Sequence, residues 1–362
     1  MHSLDSLHNF LEQEFHISAR IAAFRNSMPY SIEIETTNAC TGFCPYCYNS
    51  SIAPNNGSYL NTNSCQAMLE SAAHMGIQEV WWLGGEPLLH PDLFNLISFG
   101  YKKGISRHFV FTNGLLLNNV DSCKQLIKNK CHVVFHIDTI NPNDFAFLHS
   151  SVPANSDCIW NTVHTQMLTG IDNLLRQGFP SFFIRHNITL TRPILKHLSE
   201  TMRWSISEKR FSMITLVPVF SCGRGTKVNP NDYLSTDEIY AAFKLRASVE
   251  KRPWLMELGP SEYCKQYQLT TCYITVDGNV LPYAGIDNVY GNICNDRFEN
   301  IVKKNAEKLF FHDLQHGDMK NKLEGYCGKC DKEEYCFGTR TVAFRNGKGL
   351  TDSDPSCWQY RI

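Results

Sequence analysis

The chain has 362 residues, enough to bury a full core and to hold two or three domains. With 19% charged residues and a formal net charge of −1, it excludes bulk electrostatic attraction to nucleic acid or to an anionic membrane. Its fifteen cysteines, odd in number and clustered, fit reduced metal ligands better than a disulfide framework. Residues 1–30 carry Asp5, Glu12 and Glu14 and no long apolar run, so they read as a short helical lead-in and not as a signal peptide or membrane span. A cytoplasmic protein is expected.

Residues 31–37, SIEIETT, alternate apolar and polar side chains as a half-buried strand does. The loop that follows, NACTGFCPYCY, holds Cys40, Cys44 and Cys47 in a C-x3-C-x2-C spacing. Zinc sites more often bring thiolates as two separated C-x2-C pairs that close a four-ligand shell. Three ligands on one tight loop would leave a cubic iron–sulfur cluster with one iron free. A polar connector over 50–61 precedes a helix that starts near Asn63, buries Cys65, Met68, Leu69 and Ala72, and stops at Gly76. A strand over 79–83 then exits through Gly84-Gly85-Glu86-Pro87.

Next come a helix over 91–103, a strand over 108–112 ending in Thr112-Asn113-Gly114, a helix over 121–129 and a strand over 132–138. Residues 139–157, with Pro142 and Pro153, read as a long connector, either a cover for an active site or a surface excursion. A helix over 161–177, a strand over 182–190, a helix over 194–208 and a strand over 212–218 complete six strand–helix alternations. Their lengths suit right-handed parallel crossovers, so the expected fold is α/β, a partial (β/α)6 barrel with its chemistry at the carboxyl ends of the strands. The cysteine loop, Gly84 to Pro87, Asn113, Asp138 and Asn187 all fall there. His136 and His186 read as polar barrel residues.

Beyond Pro218, a turn over 220–225 leads to a helix capped by Ser235 with Glu238 three residues on. Cysteines then resume. Cys327-x2-Cys330-x5-Cys336-x20-Cys357 is a complete four-thiolate set, with Gly325, Gly328 and Gly338 for tight turns. A structural zinc knuckle is the alternative for this set.

The Cys40/Cys44/Cys47 spacing, with Tyr46 before the last cysteine, and the GGEP strand exit resemble the radical S-adenosylmethionine (SAM) enzymes over most of the chain. The resemblance implies a 4Fe–4S cluster on these cysteines, whose open iron chelates SAM. It also implies that Glu86 orients the SAM amino group beside Gly84, Gly85 and Pro87, and that Tyr46 packs by adenine. Asn113, Asp138 and Asn187 match positions that contact ribose or carboxylate, with capping of the next segment as the alternative for Asp138.

The turn with Gly223 and Arg224, the DGNVLP run at 277–282 and the last four cysteines resemble the SPASM extension, whose cysteines bind auxiliary clusters. A small cysteine-rich α+β domain is thus expected over 227–362, after a lead-in over 1–30 and a barrel over 31–226. Two SPASM ligand positions are here Tyr283 and Arg340, so one auxiliary 4Fe–4S cluster is expected, on Cys327, Cys330, Cys336 and Cys357. Cys264 and Cys272 are too few for another, Cys222 and Cys294 receive no role, and Cys272 is either a buried thiol or faces the substrate. Ala284 replaces the base of the sulfatase-maturing members, which disfavours that activity.

The resemblance thus implies a SAM-cleaving enzyme that oxidises, epimerises or crosslinks a small molecule or a ribosomally made peptide. It would be served by a flavodoxin- or ferredoxin-type electron donor. The thirty residues before the first strand are too few for a leader-binding domain, so a peptide substrate would be delivered by a separate leader-peptide-binding protein. Heme-type tetrapyrrole tailoring is an alternative, as is a non-catalytic iron–sulfur or zinc protein. No catalytic side chain is assigned.

Overall fold

The computed structural model describes residues 2–149, 157–261, 263–309, 323–346 and 349–358. Six parallel strands form the body of one sheet: β1 (Ser31–Glu35), β2 (Glu79–Leu83), β3 (Arg107–Thr112), β4 (His132–His136), β5 (Ile184–Leu190) and β6 (Met213–Pro218). Helices α3 (Thr62–His74), α4 (Leu93–Lys103), α5 (Val120–Lys128), α7 (Asp157–Arg176) and α8 (Leu198–Arg203) link them. Asn61 caps α3 by accepting from the Ser64 N–H at 3.0 Å. The expected (β/α)6 barrel is the fold observed.

On the other edge of β1 the sheet continues with parallel β7 (Thr271–Ile274), then antiparallel β8 (Asn279–Leu281) and β9 (Gly291–Asn292). The segment expected to form a second domain thus supplies three strands to the same sheet. Helix α9 (Thr236–Val249) opens with the capping box read from Ser235 and Glu238. The short helix α10 (Lys265–Gln268) precedes β7, α11 (Phe298–Leu309) packs on α3, and α12 (Arg340–Asn346) lies among the last cysteines.

Alternation along β1 divides the molecule. Ile32 and Ile34 face outward into an apolar core with Met68 and Leu69 of α3, Leu96 of α4 and Ile171 of α7. Glu33 and Glu35 face inward. The half-buried expectation for this strand is therefore corrected: all five residues are buried, because the alternate face meets a closed interior and not solvent.

That interior is closed below by the lead-in, which forms α1 (His2–Phe15) and α2 (Ile17–Arg25). Leu7, Leu11 and Phe15 plug the barrel against Trp81, Phe109 and Val134. Beside the plug, Glu79 takes ion pairs from Arg20 and, at 2.9 Å, from Arg107. Burial would raise this carboxyl, but the two guanidinium groups hold it below its ordinary value. Without Arg20, the buried Glu79 would keep Arg107 as its remaining cation and the Trp81 indole as a donor.

The connector expected over 139–157 is corrected in its first half. Residues Pro142–His149 form helix α6, since Asn141 Oδ1 accepts from the Asn143 and Asp144 N–H groups at 3.0 and 3.1 Å. Pro142 takes the first helical position, where its missing N–H costs nothing. A proline read as part of a connector is here a helix start. Residues 150–156 of the expected connector, with Pro153, lie outside the described residues. The helix expected over 194–208 changes pitch along its length, from 3-10 through α to π.

Candidate active site and thiol groups

Strands β2 to β6 end around one cavity of about 230 Å³ at the carboxyl edge of the sheet. Cys40, Cys44 and Cys47 all line it. The loop bearing them is threaded against the exit of β2: the Gly85 N–H donates to Thr37 O at 2.6 Å and the Glu86 N–H to Ala39 O at 2.8 Å. A Cβ at Gly84 would meet Thr37 O at 2.3 Å and one at Gly85 would meet Ala39 O at 1.9 Å. Both glycines line the cavity, yet what demands them is the close approach of two backbone segments.

Arg224 closes the loop from the other side. Its Nε donates to Cys44 O at 2.9 Å and its Nη1 to Ser51 O at 2.5 Å, while its backbone N–H reaches Cys47 O at 2.9 Å. Its buried Nη2 has no hydrogen-bond partner among the described residues. Burial pushes the Cys40 thiol up to about 12 and Cys44 well above its ordinary value; neighbouring carboxylates and thiols add to this, and Arg224 opposes it. Such thiols ionise when a cation takes the proton's place. A group of three thiols beside an underused guanidinium fits a metal–sulfur cluster.

The positions read as SAM contacts divide in two. Tyr46, Gly84, Gly85, Asn113, Asp138 and Asn187 share the cavity wall. Glu86 and Pro87 stand behind it. The Glu86 carboxylate accepts from the Asn113 N–H at 2.9 Å, Thr112 Oγ1 at 3.1 Å and the Leu88 N–H at 3.2 Å, tying the ends of β2 and β3 together. Burial raises this carboxyl to about 7 against those three donors. Asn113 in turn donates from Nδ2 to Thr41 Oγ1 at 3.1 Å, beside Cys40.

Asp138 accepts from the Tyr46 hydroxyl, from the Thr189 N–H at 2.7 Å and meets His136 Nε2 at 3.1 Å. Burial pushes it up to about 8, with the Thr189 bond opposing. Its neighbour His136 stacks on Tyr46 with centroids 6.4 Å apart. His186 is structural, bonding Ser205 Oγ and, at 2.7 Å, Ile137 O. From α6, Phe145 and His149 reach the wall.

The second thiol group lies outside the cavity wall. Cys336 is pushed up to about 12, first by burial and then by Cys357 and Cys327. The Gly338 N–H points to Cys336 Sγ at 3.4 Å, and a Cβ on Gly259 would come within 2.9 Å of the same sulfur. Arg340, expected to replace a ligand, donates to Leu350 O and Asp352 O at 2.8 Å and reaches Cys327 Sγ at 3.6 Å. Among the described residues, no three His, Cys, Asp or Glu side chains are gathered as one metal ion requires.

Cys264 and Cys272 occupy different apolar cores, and Cys272 points outward with Ile32 and Ile274, away from the cavity. Cys294 is exposed. Among the wall residues that escaped the sequence reading are Glu33, whose signal was the inward register of β1, and Gln268, for which the sequence held no signal.

Residues 34–204 match the model of the Radical SAM superfamily. The AdoMet-dependent heme synthase of Methanosarcina barkeri is 23% identical over 354 residues, spanning 91% of this chain and 96% of that one. The mycofactocin maturase MftC of Mycobacterium tuberculosis is 23% identical over 349 residues, spanning 91% of this chain and 83% of its own. Among solved structures, native anSMEcpe with bound AdoMet and the Cp18Cys peptide superposes with a TM-score of 0.65 at 16% identity, over 91% of this chain and 94% of that one.

Proposed function

The chain belongs to the radical SAM superfamily, and from that premise we propose that Cys40, Cys44 and Cys47 hold the 4Fe–4S cluster that such an enzyme uses on SAM. It is an enzyme of the SPASM-type maturase group, acting on a peptide or small molecule. When bound, the cluster supplies the electron that cleaves SAM to methionine and a 5′-deoxyadenosyl radical, which takes hydrogen from the substrate. The residues of the chain do the positioning. Arg224 fixes the loop by two carbonyls and leaves its Nη2 without a partner among the described residues. Glu86 locks Asn113 against the loop, and Asp138 fixes the Tyr46 ring in the wall, where Gly84, Gly85, Asn187 and these side chains would receive SAM.

The observation that carries this reading is the convergence of the three thiols and Arg224 on the cavity that ends five strands. We assign one auxiliary 4Fe–4S cluster to Cys327, Cys330, Cys336 and Cys357, with Arg340 standing where a further ligand would be. The electron donor we propose is a flavodoxin or ferredoxin. Among the described residues no helix is long and apolar enough to cross a membrane.

The match to heme synthase along nearly its whole length favours tetrapyrrole tailoring as a second reading. Anaerobic reconstitution followed by dithionite and SAM should yield 5′-deoxyadenosine, measured by mass spectrometry. A fully loaded protein that never forms it, with candidate peptides or porphyrins present, would sink the assignment.

A further inference from the structure

Glu33 is 4% exposed and lines the cavity. Its Oε1 accepts from the Tyr267 hydroxyl at 2.8 Å, and its Oε2 takes no hydrogen bond from any described residue. The nearest guanidinium, Arg20, is committed to Phe15 O, Ser31 Oγ, Thr270 Oγ1 and Glu79. The other carboxylate of the wall, Asp138, is filled by Tyr46, Thr189 and His136. Glu33 is therefore the carboxylate of the wall that still has an oxygen to offer.

Its surroundings favour a cation. Glu33 lies level with Trp81 of β2, and Trp81 is ringed by Tyr263 at 5.6 Å, Phe111 at 5.9 Å and Tyr267 at 5.2 Å between centroids. Phe111, Tyr263 and Tyr283 also line the cavity. Arg185 sits over Trp81 and Arg20 over Tyr267, so the cavity-lining rings that would attract an ammonium group are Phe111, Tyr263 and Tyr283, and a buried carboxylate short of donors costs several kcal/mol until a ligand supplies them.

We propose that Glu33 receives a protonated amine of the substrate, so that the site selects amine-bearing molecules, whether a small molecule or a peptide side chain. This rests on reading the cavity as the active site. The tendency of burial to hold the Glu33 carboxyl near pH 7 agrees with a group that becomes charged when a cation arrives.

The test uses cluster-loaded enzyme with SAM bound, titrated anaerobically by calorimetry with phenethylamine and with its neutral isostere 2-phenylethanol. The amine should bind at least about tenfold tighter than the alcohol. Glu33→Gln, which keeps a partner for Tyr267, should erase that preference. Tyr267→Phe, which leaves the carboxylate in place, should retain it. Iron content and thermal unfolding confirm that each variant is folded, and Glu33→Asp, which keeps the charge, should retain at least part of the preference if the glutamine variant fails to fold. Equal binding of both probes to the native enzyme, no binding of the amine at millimolar concentration, or a preference that survives in the glutamine variant would overturn the proposal. Formation of 5′-deoxyadenosine in the same samples separates the two readings. With it present and no amine preference, the amine site fails and the enzyme reading stands; with an amine preference and no cleavage, the reverse holds.

Discussion

The two groups of cysteines are built in opposite ways. The first is a single loop at the end of β1, held by backbone of the β2 exit and by Arg224, with all three thiols on the cavity. The second is drawn from two segments, one on either side of α12, held by side chains reaching backbone: Ser353 Oγ accepts from the Cys327 N–H at 3.0 Å and Asp354 Oδ2 from the Thr339 N–H at 2.6 Å. None of its described thiols lines the cavity. A site short of a ligand and open to a cavity can bind something that reacts; a site with four thiols away from the cavity can store charge or brace the fold. Number and placement of thiols together divide the work.

Cys44→Ala breaks this comparison most severely. Loss of one thiolate from the three-ligand loop should lower 5′-deoxyadenosine formation at least about a thousandfold and take iron from about eight to about four per chain. Cys336→Ala should remove a similar amount of iron while leaving SAM cleavage within about tenfold of the native rate. Iron and sulfide analysis with product quantitation checks both. A Cys336→Ala enzyme that no longer cleaves SAM would show that the two sites do not divide the work as proposed, and a clear twelve irons in the native protein would defeat the single auxiliary cluster.

Arg224→Ala tests the brace of the first site. Its fork serves two carbonyls in fixed geometry, so the loss should cost about 10–100-fold in SAM cleavage or cluster affinity. Lysine should rescue little, since a single ammonium cannot copy the fork. A variant that retains full cluster occupancy and full cleavage would reduce Arg224 to a packing residue.

The difference between the sites also explains what was legible in the sequence. The first loop, the β2 exit and all six strands were readable because their signals are local: fixed cysteine spacing, alternation and terminating glycines. The tether of Arg224 to Cys44 links residues 180 apart in the chain, and Glu33 acquires meaning only when β7 and α10 bring Tyr267 to it from 234 residues away. Side-chain partnerships at that range follow from closure of the barrel and leave no periodic trace. Local signals also misled at Pro142, where the competing signal was Asn141 as a cap.

Glu33 offers a smaller effect with a defined sign. Burial raises its carboxyl from 4.5 to about 7, against the Tyr267 bond and Arg20. The native state therefore holds a proton that the unfolded chain has released between those two values, and stability falls as pH rises through that window. Between pH 6 and 8.5 this amounts to on the order of 1 kcal/mol. Anaerobic urea unfolding should show native enzyme losing that much more than Glu33→Gln. Glu86 and Asp138 shift in the same direction, but they are common to both proteins and cancel in the difference. Parallel pH profiles would mean that Glu33 is satisfied by contacts other than Tyr267.

The smallest expected change concerns the cysteines that belong to neither group. Cys272 is sealed between Ile32 and the outer core, and burial, with the charge of Glu33 adding to it, pushes its thiol far above the usual range. Cys264 lies in the plug beneath the barrel, with Tyr267 and Trp81. Each behaves as a small apolar side chain. Alanine at either position should leave iron content unchanged and cost about 1 kcal/mol in unfolding free energy, the loss of one sulfur from a packed core. If the double variant loses about four irons, the pair takes part in another cluster despite lying in separate cores, and the contrast between an open loop and one closed quartet gives way to three sites.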